Sequence, residues 1–176
     1  MGHIKLKKVK KNLLKTVYKK EIIRYNIFRK IKREVFIMST RSRISWKKQD
    51  GTIESIYCHH DGYPEYVGNI LVNNCDEKNL DKLMALGDLS VLGKVPTSDP
   101  KGWDDYSYIK RNRCCLAYKD RGETDVDSFK FDSDEEFKEE CLRGFEEECN
   151  YLYKDGKWYF WYYGGLKIAE NVENLL

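Results

Sequence analysis

The chain has 176 residues, 41% of them hydrophobic and 35% charged, which supports a core of modest size. No stretch is long and apolar enough to cross a bilayer, and Lys and Arg interrupt every apolar run near the start, unlike the uninterrupted run of a secretory signal. The formal net charge of +3 conceals a division at Met38: residues 1–37 carry 13 Lys and Arg against Glu21 and Glu34, and the remainder carries 19 against 27 Asp and Glu, a net of −8. The first part suits nucleic acid or an anionic membrane and the second a basic protein surface.

Two readings of residues 1–37 stand side by side. One is a basic amphipathic helical arm with Leu13, Leu14, Val17, Tyr18, Ile22 and Ile23 on one side. The other is a translated leader. Met38-Ser39-Thr40 resembles a start, and one permitted codon set for Lys32-Arg33-Glu34-Val35 spells a purine-rich ribosome-binding site before it. Residues 38–176 are expected to form a single acidic domain.

Within that domain, Arg43–Trp46 and Ile53–Tyr57 flank Asp50-Gly51, a pair suited to a type I′ hairpin turn. Asp61-Gly62-Tyr63-Pro64 breaks the second strand. A helix is expected from about Glu65 with Val67, Ile70 and Leu71. Another is expected over Glu77–Leu86, with Leu80, Leu83 and Met84 on one face and Gly87 at its end. Pro96, Pro100 and Gly102 mark Val95–Asp105 as loop, and Cys114–Tyr118 reads as a strand. Ser133-Asp134-Glu135-Glu136 is a capping box. It opens a helix whose Phe137, Cys141, Phe145 and Cys149 recur every four residues and read as core. Tyr151–Tyr153 and Trp158–Tyr163 around Asp155-Gly156 give a second hairpin, aromatic on both faces of its second strand. This order predicts an α+β domain: an antiparallel sheet of about four to five strands, with two Asp-Gly hairpins and two to three helices packed on one face.

Six cysteines occur with no Cys-x-x-Cys spacing, which fits reduced thiols in a cytoplasmic protein. Cys58-His59-His60-Asp61 is the densest reactive cluster. Cys58 and His60, two apart on an extended strand, point the same way and could hold zinc with Cys75 or with Cys114 and Cys115. The alternative is a strand-end turn with a buried thiol. A nucleophile–base reading of Cys58 with His59 or His60 lacks the features that activate a thiol, and no standard catalytic motif occurs. Between Glu123 and Glu148 twelve carboxylates face three cations, Lys130, Lys138 and Arg143. On a rigid helix, Glu135, Glu136, Glu139, Glu140, Glu146 and Glu147 could imitate a phosphate backbone. The plainer reading is a solvated helix face with carboxylates favoured at its start. Lys110-Arg111-Asn112-Arg113, beside Tyr106 and Tyr108, suits nucleic acid or the acidic helix equally.

Ser39-Thr40-Arg41-Ser42-Arg43-Ile44, Ile56–Glu65 (Ile-Tyr-Cys-His-His-Asp-Gly-Tyr-Pro-Glu) and Ala85-Leu86-Gly87-Asp88-Leu89-Ser90 resemble small proteins of bacteriophages and mobile elements of Gram-positive bacteria. The resemblance implies a group that takes in anti-CRISPR proteins. The resemblance spans roughly residues 39–92 and begins just after Met38. In that group the second residue of the His-His pair is often aromatic, which weighs against a metal role for His60. The resemblance implies a host cytoplasmic setting. Together with the acidic run it leads to the expectation of a non-enzymatic inhibitor of a nucleic-acid-targeting defence nuclease, with no membrane partner. Tyr63, Tyr66 and Trp103 would be the aromatic anchors. The alternatives are a structural or regulatory protein stabilised by zinc at Cys58, His60 and Cys75, and a nucleic-acid binder using residues 1–37.

Overall fold

In the computed structural model, the described residues are 40–143, 147–162 and 170–171. The arm or leader expected over residues 1–37 lies outside them. The first strand, β1 (Ser42–Lys47), pairs antiparallel with β2 (Ile53–Cys58). Five residues link them, of which only Gly51 takes positive φ (93°), so the turn is a longer one than the expected type I′. The second hairpin, β7 (Cys149–Lys154) with β8 (Lys157–Tyr162), does close on two residues. Asp155 and Gly156 have φ of 51° and 77°, the pairing that a type I′ turn requires.

The architecture is α+β, but the sheet is larger than expected and mixed. Its order is β4 (Val95–Ser98), β5 (Cys114–Ala117), β3 (Leu89–Val91), β2, β1, β7, β8, β9 (Glu170–Asn171), and β6 (Phe129–Phe131) also pairs with β2. The β1–β7, β2–β3 and β4–β5 pairs are parallel. Parallel neighbours require crossover connections, and the helices supply them. Part of the expected loop at Val95–Asp105 is strand β4, and part is a short helix, α3 (Lys101–Asp104).

Helices cover both faces rather than one. A π-helical turn (Pro64–Gly68) runs into α1 (Asn69–Asn74), and α2 (Glu77–Ala85) follows. Their Val67, Leu71, Leu80, Leu83 and Met84 pack on the row Ile56, Ile44, Tyr151 and Phe160 that crosses four adjacent strands. On the other face lies α5 (Asp134–Arg143), whose Phe137 and Cys141 pack with Ile53, Phe131 and Trp161. Strand alternation sends Phe160 to one cluster and Trp161 to the other, which is why β8 is aromatic on both faces. A smaller cluster of Val91, Ile109, Cys114 and Leu116 sits under α4 (Tyr106–Asn112). Cys149 is not part of the α5 stripe: it is the first residue of β7 and belongs to the opposite core. Phe145 lies outside the described residues.

Candidate interaction surface

Helix α5 is held at its start by three interactions. The Ser133 hydroxyl accepts from the Glu136 amide (3.1 Å), and the Glu136 carboxylate accepts from the amide of Asp132 (2.9 Å). The box therefore closes on Asp132, one residue upstream of the cap. Lys47 on β1 donates to both oxygens of Asp134 at 2.6 Å, and that bond holds the Asp134 carboxyl below the usual range. Phe137 and Cys141 fix the inner face of the helix.

The outward carboxylates are fewer than the sequence run contains. Glu135, Glu136 and Glu139 are exposed and Glu140 is half-buried. Glu147 is different: it is 5% exposed and forms a 2.6 Å ion pair with Arg43. It thus drops out of the expected binding set, because its charge serves the interior of the sheet. Glu146 lies outside the described residues. Upstream, Asp127 pairs with Lys119 (2.5 Å) and Glu123 with Arg121, and both carboxylates remain open to solvent.

The expected aromatic anchors fall into two groups. Tyr63 is exposed and Tyr66 half-buried, with ring centroids 6.3 Å apart at the start of the π-helical turn. Burial raises both phenols, Tyr66 to about 12. Trp103 stands elsewhere. Its indole N–H donates to the Ala117 carbonyl (3.1 Å), and the Arg121 guanidinium lies 4.2 Å over its ring, beside Tyr118. In the basic patch, Arg111 is occupied by Asp105 (2.9 Å) and Ser107 (2.6 Å), and Lys110 lies over the Tyr106 ring.

The expected zinc ligands do not come together. Strand β2 ends at Cys58, whose side chain is fully buried, while His60 lies beyond the strand end and is exposed. Cys75 is buried in the same core as Cys58. Among the described residues no three His, Cys, Asp or Glu side chains converge as a metal would require. Burial pushes the Cys58 thiol up to about 12, the opposite of what a nucleophile needs. Its Sγ donates to the His60 carbonyl (3.7 Å).

Beside this strand end the sheet carries a polar row that the residue spacing did not suggest. Register places Tyr57, Arg43 and Asn150 side by side across β2, β1 and β7. The Tyr57 hydroxyl meets His59 Nδ1 at 2.7 Å, and burial, then His60 and Arg41, lowers the His59 pKa. Asp88 accepts from the Tyr57 amide (2.7 Å), and burial raises its carboxyl. A second feature missed in the sequence is Phe129. Phe-Lys-Phe at 129–131 alternates with the period of a strand, which was the available signal, and leaves Phe129 56% exposed. Comparison with known proteins gives no match: no family model, no curated protein and no solved structure is similar to this chain.

Proposed function

We propose that this protein is a non-enzymatic binder of a basic protein surface, using the outer face of α5. The observation that carries the reading is that Glu135, Glu136 and Glu139 stand exposed on a helix capped at Ser133, tied to β1 through Lys47–Asp134 and anchored by Phe137. Carboxylates on a rigid element present a fixed array, so little ordering entropy is lost when they meet a complementary one. A groove that binds nucleic acid offers that complement in the spaced Lys and Arg it uses for phosphates. With the resemblance to phage-encoded proteins, the partner we favour is a host nucleic-acid-targeting nuclease, of a restriction or CRISPR type, met in the host cytoplasm. Tyr63 and Tyr66 supply a further contact area suited to a protein interface.

The test is competition. A labelled target nucleic acid is bound to such a nuclease, the full chain is titrated in, and release is followed by anisotropy. Release should weaken steeply as salt rises. The triple variant Glu135→Lys/Glu139→Lys/Glu140→Lys should compete at least about tenfold less well, since reversed charges repel where they attracted. Equal competition by wild type and the triple variant would refute the charge reading.

A further inference from the structure

Among the described residues Phe129 is the most exposed large apolar side chain, at 56%, and it lies on a strand rather than a mobile tip. Its backbone is clamped on both sides. Strand β6 pairs with β2 through Phe129↔Ser55, Lys130↔Glu54 and Phe131↔Ile53. The Glu54 carboxylate accepts from Ser128 (2.7 Å) on one side of Phe129 and faces Lys130 (3.8 Å) on the other. The ring continues a row of aromatic contacts that ends in the core. Phe129 to Phe131 is 4.7 Å, Phe131 to Phe137 is 5.3 Å and Phe137 to Trp161 is 6.3 Å between centroids. Phe129 is therefore held in place before any partner arrives, and one ring separates it from α5.

Carboxylates flank it along the chain, with the exposed cation Lys130 beside it. Asp127 precedes it, with a side chain 83% exposed; Asp132 follows; and Glu136 is hydrogen-bonded to the Asp132 amide at the end of β6. A rigid apolar ring bordered by carboxylates is complementary to a Lys- and Arg-rich segment that also carries an apolar side chain. The ring takes the apolar group, and the carboxylates take the charges. We infer that Phe129 is the apolar anchor of this surface and that its partner is a basic protein segment with an apolar residue between its cations. This rests on the acidic-face reading above and specifies its partner.

Two labelled peptides test it against the full chain by fluorescence anisotropy: a 15-residue Lys/Arg peptide with one central Leu, and its twin with Gly there. Wild type should bind the Leu peptide about tenfold more tightly, the scale of burying one Leu side chain. Phe129→Ala should remove that preference while leaving the Gly peptide's affinity unchanged. Phe129→Thr, a good strand former, should do the same with an unshifted urea midpoint, which separates a lost contact from a lost fold. Glu135→Lys/Glu139→Lys should weaken both peptides alike. Equal affinity of wild type for the two peptides, or a preference that survives in both Phe129 variants, overturns the anchor and leaves the acidic face standing. Failure of wild type to bind either peptide overturns both.

Discussion

The Arg43–Glu147 pair separates the carboxylates that build the fold from those that face a partner. Replacing Arg43 with Met removes the guanidinium whose Nη2 lies 2.6 Å from Glu147 Oε1 and leaves a carboxylate that is only 5% exposed. The other carboxylate oxygen, Oε2, already lacks a hydrogen-bond partner among the described residues. Breaking a buried pair from one side costs about 3–5 kcal/mol, and the 17% exposure of the Arg43 side chain favours the lower end, about 3 kcal/mol. With a urea m-value of roughly 2 kcal/mol per M, the unfolding midpoint should fall by about 1.5 M. The double variant Arg43→Met/Glu147→Leu should recover to within about 1 kcal/mol of wild type, because the desolvation cost leaves with the charges. Urea denaturation followed by tryptophan fluorescence reads both. A shift below about 0.5 M in the single variant, or a double variant no more stable than the single, would refute the reasoning. Neither substitution should change binding to a basic partner.

Three further outcomes are expected. Gly87 has φ +67° at the end of α2, and a Cβ there would lie 2.1 Å from the Val126 carbonyl oxygen. Gly87→Ala should therefore cost at least about 2 kcal/mol, from left-handed strain plus a backbone shift, and thermal denaturation would show it. Burial works against ionisation of Glu54, but Lys48 and Ser128 outweigh it and hold its carboxyl below the ordinary value. A folded pKa below the unfolded one gives stability that is present above roughly pH 4.3 and lost as pH falls through the folded value. The stability gap between wild type and Glu54→Gln should thus be largest near pH 7 and close on acidification; a gap that widens would contradict the assignment. Burial raises Cys58, Cys75, Cys115 and Cys141 to about 12 each. These thiols should resist iodoacetamide at pH 8 in the native protein and react on unfolding; rapid native labelling would refute their burial.

What could be read from the sequence was local. The Asp155-Gly156 turn, the α2 stripe with Gly87 behind it and the Ser133–Glu136 cap each follow from residues within a few positions, and each stands in the structure. What could not be read was long-range. Nothing near Arg43 announces that β1 pairs in parallel with β7, more than a hundred residues away, or that β6 and β3 share one edge of β2. The four-residue spacing that put Cys149 in the α5 stripe continued past the end of the helix, and periodicity alone carries no stop signal there. Strand alternation predicts that Cys58 and His60 point the same way, but the strand ends at Cys58, so alternation does not govern His60.

The same distinction changes how the acidic run acts. Asp134 is paired with Lys47, Glu147 is paired with Arg43, and Glu136 closes the helix cap. These interactions tie carboxylates of the run to the fold, and the exposed carboxylates on the α5 surface are Glu135, Glu136 and Glu139. Exposed ion pairs contribute only about 0–1 kcal/mol each. Two or three of them cannot hold a partner at useful affinity, although they can steer it and set its orientation. Most of the affinity must then come from desolvated apolar contact, and Phe129 is an exposed aromatic fixed through Phe131 to the helix that carries these charges. Salt should accordingly slow association more than it speeds dissociation, whereas Phe129→Ala should act mainly on dissociation. Stopped-flow kinetics with the Leu peptide would distinguish the two, and an association rate insensitive to salt would mean that the acidic face does no steering.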